Sequence, residues 1–177
     1  MQFENTPLLD ARIVHLEPRT DERGLFARSF CVREFETAGL VSRMVQCNIS
    51  YNRHKGTLRG MHYQQGLASE TKLVRCTRGA IYDVIVDLRP ESPTYLRHFG
   101  IELTADNRTA LYVPKHFAHG YITLTDDAEV FYQVSEYYTP SLEAGLRHDD
   151  PTLGIQWPMT VLHISEKDTH WPLLPNI

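Results

Sequence analysis

The sequence predicts a mainly β protein, a sandwich or a barrel, and three observations carry that expectation. Most of the 177 residues fall in short runs of alternating polar and apolar character. Gly, Pro, Asn and Asp break those runs repeatedly, as turns between strands require. The runs also follow one another closely enough for a sandwich or closed sheet, and no long helical pattern interrupts them.

Along the chain, the first regular element is a short helix over 33–40. Arg33-Glu-Phe-Glu-Thr-Ala-Gly-Leu40 holds good helix formers followed by a glycine suited to a C-cap, so the helix should end at Gly39 or Leu40. Strands follow over 45–50, 57–63 and 72–77. The clearest strand is 80–88, where period-two alternation sets Tyr82, Val84, Val86 and Leu88 against Ile81, Asp83, Ile85 and Asp87. Further strands are expected over 99–103, 109–113, 120–124 and 130–138, joined by sequential hairpins. A last helix over 165–173 should stop at Pro172.

The length suits one domain over residues 1–177, with no repeat or Ser/Gly linker to divide it. Hydrophobic residues at 42% and charged residues at 23% argue against disorder and a fibrous composition. A net charge of −4 provides no field to gather nucleic acid or an anionic membrane, so any phosphate must be met by local groups. No basic segment leads into an apolar run at the N-terminus, and no stretch reaches the roughly 20 apolar residues of a membrane helix; a cytoplasmic protein is expected. Cys31, Cys47 and Cys76 lie far apart without CxxC spacing and read as reduced, partly buried thiols.

Chemistry is suggested first by Lys55-Gly-Thr-Leu-Arg-Gly-Met-His-Tyr-Gln64. Gly56 and Gly60 interrupt a strand that also carries Arg59 and His62, and strand glycines mark bulges or close backbone approaches. A twisted strand with one satisfied histidine accounts for this segment alone. In a regular strand Leu58, Gly60, His62 and Gln64 share one face and Arg59 takes the other, so a site using both Arg59 and His62 requires a bulge.

The wider order adds specificity: His62, Lys72, Phe117-Ala-His-Gly120, Tyr132, then Ser165-Glu-Lys-Asp168. With Asp21-Glu-Arg-Gly24, Val45-Gln-Cys-Asn48, 79–88, 112–120, 136–140 and 150–158, this order resembles the dTDP-4-dehydrorhamnose 3,5-epimerase family over nearly the whole chain. The resemblance implies a cupin-like jelly-roll β-sandwich with a few short helices, and an isomerase that inverts C3 and C5 of an NDP-4-keto-6-deoxyhexose through an enolate. It needs no cofactor and no metal. His62 matches the general base, Asp168 its carboxylate partner, Lys72 the residue stabilising the enolate and Tyr132 the acid on the opposite face. A proton α to a ketone is acidic enough for histidine when the enolate oxygen meets a cation.

The same resemblance carries Arg23, Phe26, Gln46, Asn48, Arg59, His119, Tyr138 and Lys167 to nucleotide or diphosphate contacts. Arg59 and Lys167 suit phosphate charge, and Phe26 offers a face to a base. It also implies a homodimer in which Arg23 and Phe26 reach the neighbour's site. Without it, Asp168 reads as a helix-capping residue three positions after Ser165, Tyr132 as a core tyrosine and Lys72 as a solvated strand lysine. Two positions depart from the family pattern: Arg28 stands where an acidic residue is common, and His148 where tryptophan is common, which puts thymidine specificity in question.

Three other readings remain open from the residues. A mono-epimerase acting at C3 or C5 uses the same base and acid. A metal-dependent cupin wants His-x-His, and His62-Tyr-Gln64 lacks it, leaving Glu70 and His119 as distant stand-ins. A noncatalytic sugar-nucleotide binder on the same sandwich has no need of an acid and a base together.

Overall fold

The computed structural model describes residues 1–174, so the last three positions of the expected 1–177 unit lie outside the described residues. The elements are β1 (Gln2–Asn5), β2 (Arg12–His15), β3 (Arg19–Asp21), β4 (Gly24–Phe26), α1 (Val32–Thr37), β5 (Gln46–Asn52), β6 (Leu58–Gln64), β7 (Lys72–Arg78), β8 (Ala80–Asp87), β9 (His98–Thr104), β10 (Ala110–Val113), β11 (Phe117–Thr123), β12 (Ala128–Val134), β13 (Glu143–Gly145) and α2 (Glu166–Thr169). A six-stranded sheet runs β1-β2-β10-β7-β12-β5, a five-stranded sheet runs β13-β6-β11-β8-β9, and β3 and β4 form a separate hairpin. All of these pairings are antiparallel. The fold is a cupin-like jelly-roll β-sandwich.

The expectation of sequential hairpins is corrected by the topology. Only β1–β2, β3–β4 and β8–β9 pair with their chain neighbours; from β5 to β8 and again from β9 to β13 the chain changes sheet at every connection. Stacking two sheets lets every apolar strand face meet another apolar face, and local turn residues carry no record of that choice.

Strand ends follow their partners. The strand expected over 130–138 stops at Val134, whose partners Gln46 and Lys72 are the first residues of β5 and β7, so residues 135–138 have no ladder to join. β11 begins at Phe117 because β8 offers Asp87 as its partner there. The short strands β1 to β4 and β13, of three or four residues, were not expected, since such lengths hold too little alternation to read.

Both helices are shorter than expected. α1 ends at Thr37, with Gly39 in the left-handed region at φ 70° as a C-terminal glycine should be. α2 ends at Thr169, three residues before Pro172, and Ser165 Oγ caps it by accepting from the Asp168 N–H at 3.1 Å.

Ile81, Ile85, Leu103 and Phe117 of the five-stranded sheet pack between the sheets against Ile13, Val74, Leu111 and Val130 of the six-stranded sheet. On the outer side of the five-stranded sheet, Val84, Val86 and Met61 lie beneath Leu146 and Leu153. β8 is therefore buried on both faces, with the division of faces expected from its alternation. α1 closes the outer side of the six-stranded sheet by setting Phe35 against Val14, Leu73 and Tyr112. Each such side chain contributes about 1.5–3 kcal/mol by leaving water.

Cys76 is buried and burial pushes its thiol up to about 11; Cys31 is partly buried, whereas Cys47 is exposed, not partly buried as expected, because its side chain points outward from edge strand β5. Among the described residues no helix is long and apolar enough to cross a membrane.

Candidate active site

The site begins with an irregularity in β6. His62 lies opposite His119 and Arg59 opposite Tyr121, so β6 takes three steps where β11 takes two. That extra residue is a bulge, and it places Arg59 and His62 on the same cavity, resolving the conflict of faces that a regular strand imposes. The Gly60–Met61 peptide bond within it is cis.

Glycine is required at this crossing. Gly60 has φ +141°, and a Cβ there would lie 2.5 Å from the Gly120 Cα; one on Gly120 would lie 2.9 Å from the Arg59 carbonyl oxygen. Gly60→Ala is expected to lower unfolding free energy by at least about 2 kcal/mol, from backbone strain plus overlap. Urea unfolding checks this, and an unchanged midpoint contradicts it.

Between the sheets opens a cavity of about 500 Å³. One wall carries Arg59, His62 and His119, from β6 and β11; the other carries Asn48, Lys72 and Tyr132, from β5, β7 and β12. Gln46 and Tyr138 complete the set of expected residues in the lining. The Tyr138 N–H donates to Gln46 Oε1 at 2.8 Å.

His62 is backed by Asp168, with Nε2 2.6 Å from Oδ1. This leaves Nδ1 as the ring nitrogen not engaged by Asp168. Asp168 is 3% exposed. Burial pushes its carboxyl up, but the hydrogen bond and charge of His62, with N–H donation from Gly60 and Trp171, outweigh burial and hold it below the usual carboxylate range. Its backbone N–H donates to the Ser165 Oγ that caps α2, while its carboxylate faces His62 instead of closing a reciprocal capping box.

Lys72 is buried against Glu70, not solvated. Glu70 Oε2 accepts from Gln64 Nε2 at 2.9 Å, which fixes the carboxylate between amide and ammonium. Tyr132 packs against the inner core, and its phenol is raised by burial first and by the charge of Glu70 second.

His119 Nε2 stands 2.8 Å from Oδ1 of the fully buried Asp83. Burial raises the Asp83 carboxyl against the pull of His119, and its Oδ2 has no partner among the described residues. Arg59 donates through Nε to Asn52 Oδ1 at 2.7 Å, which aims the guanidinium while leaving its remaining donors unused by that contact. Lys167 lies outside the lining but donates at 2.5 Å to Glu143 Oε1, while Glu143 Oε2 accepts from the Tyr138 hydroxyl at 2.8 Å.

Arg23 and Phe26 are not brought to this cavity. They sit on the β3–β4 hairpin, lining a cleft of its own, with Phe26 70% exposed and Arg23 paired to Asp21 at 2.6 Å. Arg28 pairs with Glu34 on α1 at 3.1 Å. His148 is half-buried, burial lowers its pKa, and its Nδ1 has no partner among the described residues. Among the described residues, no three His, Cys, Asp or Glu side chains are grouped to hold a metal ion.

The sequence reading passed over Glu143, Asp83 and Trp171, and placed Glu70 only as a stand-in metal ligand. Asp83 had a readable signal, since an acid between Ile81 and Ile85 on an apolar strand face demands a partner. Glu143 had none, because Lys167 reaches it from a distant helix, and Glu70 had only Lys72 two positions on, its other partner Gln64 coming from another strand.

A jelly-roll sandwich with ionisable side chains gathered around an open central cavity defines the cupin-like enzymes as the class. The model of the dTDP-4-dehydrorhamnose 3,5-epimerase family matches residues 5–176, and the chain belongs to that family. It is 43% identical over 179 residues to the dTDP-4-dehydrorhamnose 3,5-epimerase of Methanothermobacter thermautotrophicus, covering 99% of this chain and 96% of that protein. The crystal structure of the Bacillus anthracis dTDP-4-dehydrorhamnose 3,5-epimerase with TDP and PPi bound superposes with a TM-score of 0.95 at 42% identity, covering 98% of this chain and 99% of that one. A Legionella pneumophila dTDP-6-deoxy-D-glucose-3,5-epimerase in complex with dTDP-4-keto-L-rhamnose gives a TM-score of 0.91 at 36% identity, covering 97% and 92%.

Proposed function

We propose that this chain inverts C3 and C5 of dTDP-4-dehydro-6-deoxyglucose by removing and returning protons through an enolate. The observation that carries the reading is the placement of a carboxylate-backed histidine and a tyrosine on opposite walls of one cavity, with a buried lysine beside the tyrosine's strand. In the proposed reaction His62 takes the proton α to the C4 ketone through Nδ1, and Asp168 stabilises the imidazolium that forms. Lys72, held by Glu70, meets the charge developing on the enolate oxygen. Tyr132 delivers a proton from the other side, and burial of its phenol keeps that proton in place until the carbanion calls for it.

Gln46, Asn48, Arg59, His119, Tyr138 and Lys167 are assigned to the nucleotide and diphosphate. The substrate is a charged, water-soluble nucleotide sugar, and the cytoplasm is the compartment proposed for its conversion. The test is product stereochemistry by NMR after incubation with dTDP-4-dehydro-6-deoxyglucose. Inversion at both carbons is expected; inversion at one makes the protein a mono-epimerase, and none contradicts the reading.

We further propose that the protein works as a homodimer whose β3–β4 hairpins deliver Arg23 and Phe26 to the neighbour's cavity. Their exposure on a hairpin outside their own chain's cavity supports this. Mixed dimers of Phe26→Ala and His62→Asn chains are expected to regain activity, reaching about a quarter of wild-type sites at equal random assembly. Activity no higher than that of the separate variants contradicts exchange of the hairpin.

A further inference from the structure

We propose that Trp171 is a positioning residue for the His62–Asp168 pair, setting through its indole N–H how strongly Asp168 holds the imidazolium; the inference rests on His62 acting as the base. Trp171 Nε1 donates at 3.3 Å to Asp168 Oδ1, the same oxygen that meets His62 Nε2 at 2.6 Å. Two donors thus share one oxygen of a nearly enclosed carboxylate, and charge drawn toward the indole is withdrawn from the histidine.

The indole is held for this purpose from several sides. Gly145, the β13 residue directly paired with His62, lies against it so closely that a Cβ there would sit 2.3 Å from Trp171 Cε2. Lys167 Nζ stands 5.5 Å over the ring, and the ring meets His62 edge-on at 6.4 Å between centroids. β13 has to be glycine at its end to admit the ring beside the dyad. This contact also leaves α2 short of Pro172, because Trp171 turns back toward β13 instead of extending the helix.

Other charged groups face the pair. Glu143 on β13 feels the charge of His62, while His148, beyond β13, and Lys167 on α2 feel that of Asp168. Trp171→Phe leaves these groups in place and keeps an aromatic ring for Lys167 to contact. Loss of the indole N–H makes Asp168 a stronger acceptor for the imidazolium, so the neutral, proton-accepting form of the base emerges at higher pH.

The experiment measures the pH dependence of epimerisation for wild type, Trp171→Phe and His62→Asn with dTDP-4-dehydro-6-deoxyglucose. For Trp171→Phe the expected result is an acidic limb of kcat displaced to higher pH, kcat about five-fold lower at neutral pH, and KM nearly unchanged. A wild-type profile and kcat in Trp171→Phe overturn the inference, and an inactive His62→Asn beside it shows that the base assignment itself survives. Turnover retained in His62→Asn overturns that assignment and this inference with it. In the folded wild type, the Trp171 indole N–H resonance in ¹⁵N-labelled protein is expected to shift with the same midpoint as the acidic limb; a resonance indifferent to pH across that limb overturns the inference without recourse to any variant.

Discussion

His62→Asn is expected to lower kcat by roughly 10²- to 10⁴-fold, the range general-base removal usually costs, while dTDP affinity stays close to that of the unaltered protein. Asparagine has no nitrogen able to accept the substrate proton at neutral pH. The groups assigned to the nucleotide and diphosphate, Arg59 and Lys167 among them, are held by Asn52 and Glu143 and not by the His62 ring. Folding should also survive: His62 is about one-third exposed at 35%, and Asp168 keeps its contacts from Gly60 and Trp171. Initial rates together with calorimetric titration of dTDP separate the two quantities. Substantial turnover would remove His62 from the role of base, and loss of dTDP binding would show that the ring organises the nucleotide site.

The second large effect belongs to Tyr132. Replacement by phenylalanine removes one oxygen from a half-buried ring that packs against the inner core, so structure should persist at little cost. If His62 removes the proton and Tyr132 returns one from the opposite wall, Tyr132→Phe will still exchange substrate protons with deuterated solvent. Inverted product should fall by roughly 10²-fold or more, the loss expected of a missing general acid. Exchange and inversion thereby become separate observables. Loss of both would assign Tyr132 to substrate placement, and unchanged inversion would leave it a core tyrosine.

The sequence revealed most where a residue's local pattern dictated its surroundings. Alternation placed β8 and its two faces correctly, and the glycines at 56 and 60 signalled the interruption that turned out to be the bulge beneath Arg59 and His62. Of the twelve residues assigned to chemistry or binding from the family's order, eight line the cavity and Asp168 lies directly behind His62.

What was not legible depended on partners distant in the chain. Strand order is decided by which apolar faces stack, so turn signals suggested hairpins where the chain crosses between sheets. Without the family resemblance Lys72 reads as a solvated strand lysine, because nothing nearby in sequence showed that Gln64, from another strand, would clamp its partner Glu70. Trp171 reaches the dyad only because β13 ends in Gly145, a three-residue strand too short to announce itself. Arg23 and Phe26 stand apart from the cavity because they sit on the β3–β4 hairpin, which pairs with neither large sheet.

The central claim, that protons leave and return at the sugar carbons on opposite sides, is tested most directly by running the wild-type reaction to product in deuterated water and reading each carbon by NMR. The predicted product carries one solvent deuterium at C3 and one at C5, each at an inverted centre, with no such labelling by His62→Asn. Inverted product that retains its original protons at both carbons would contradict the account.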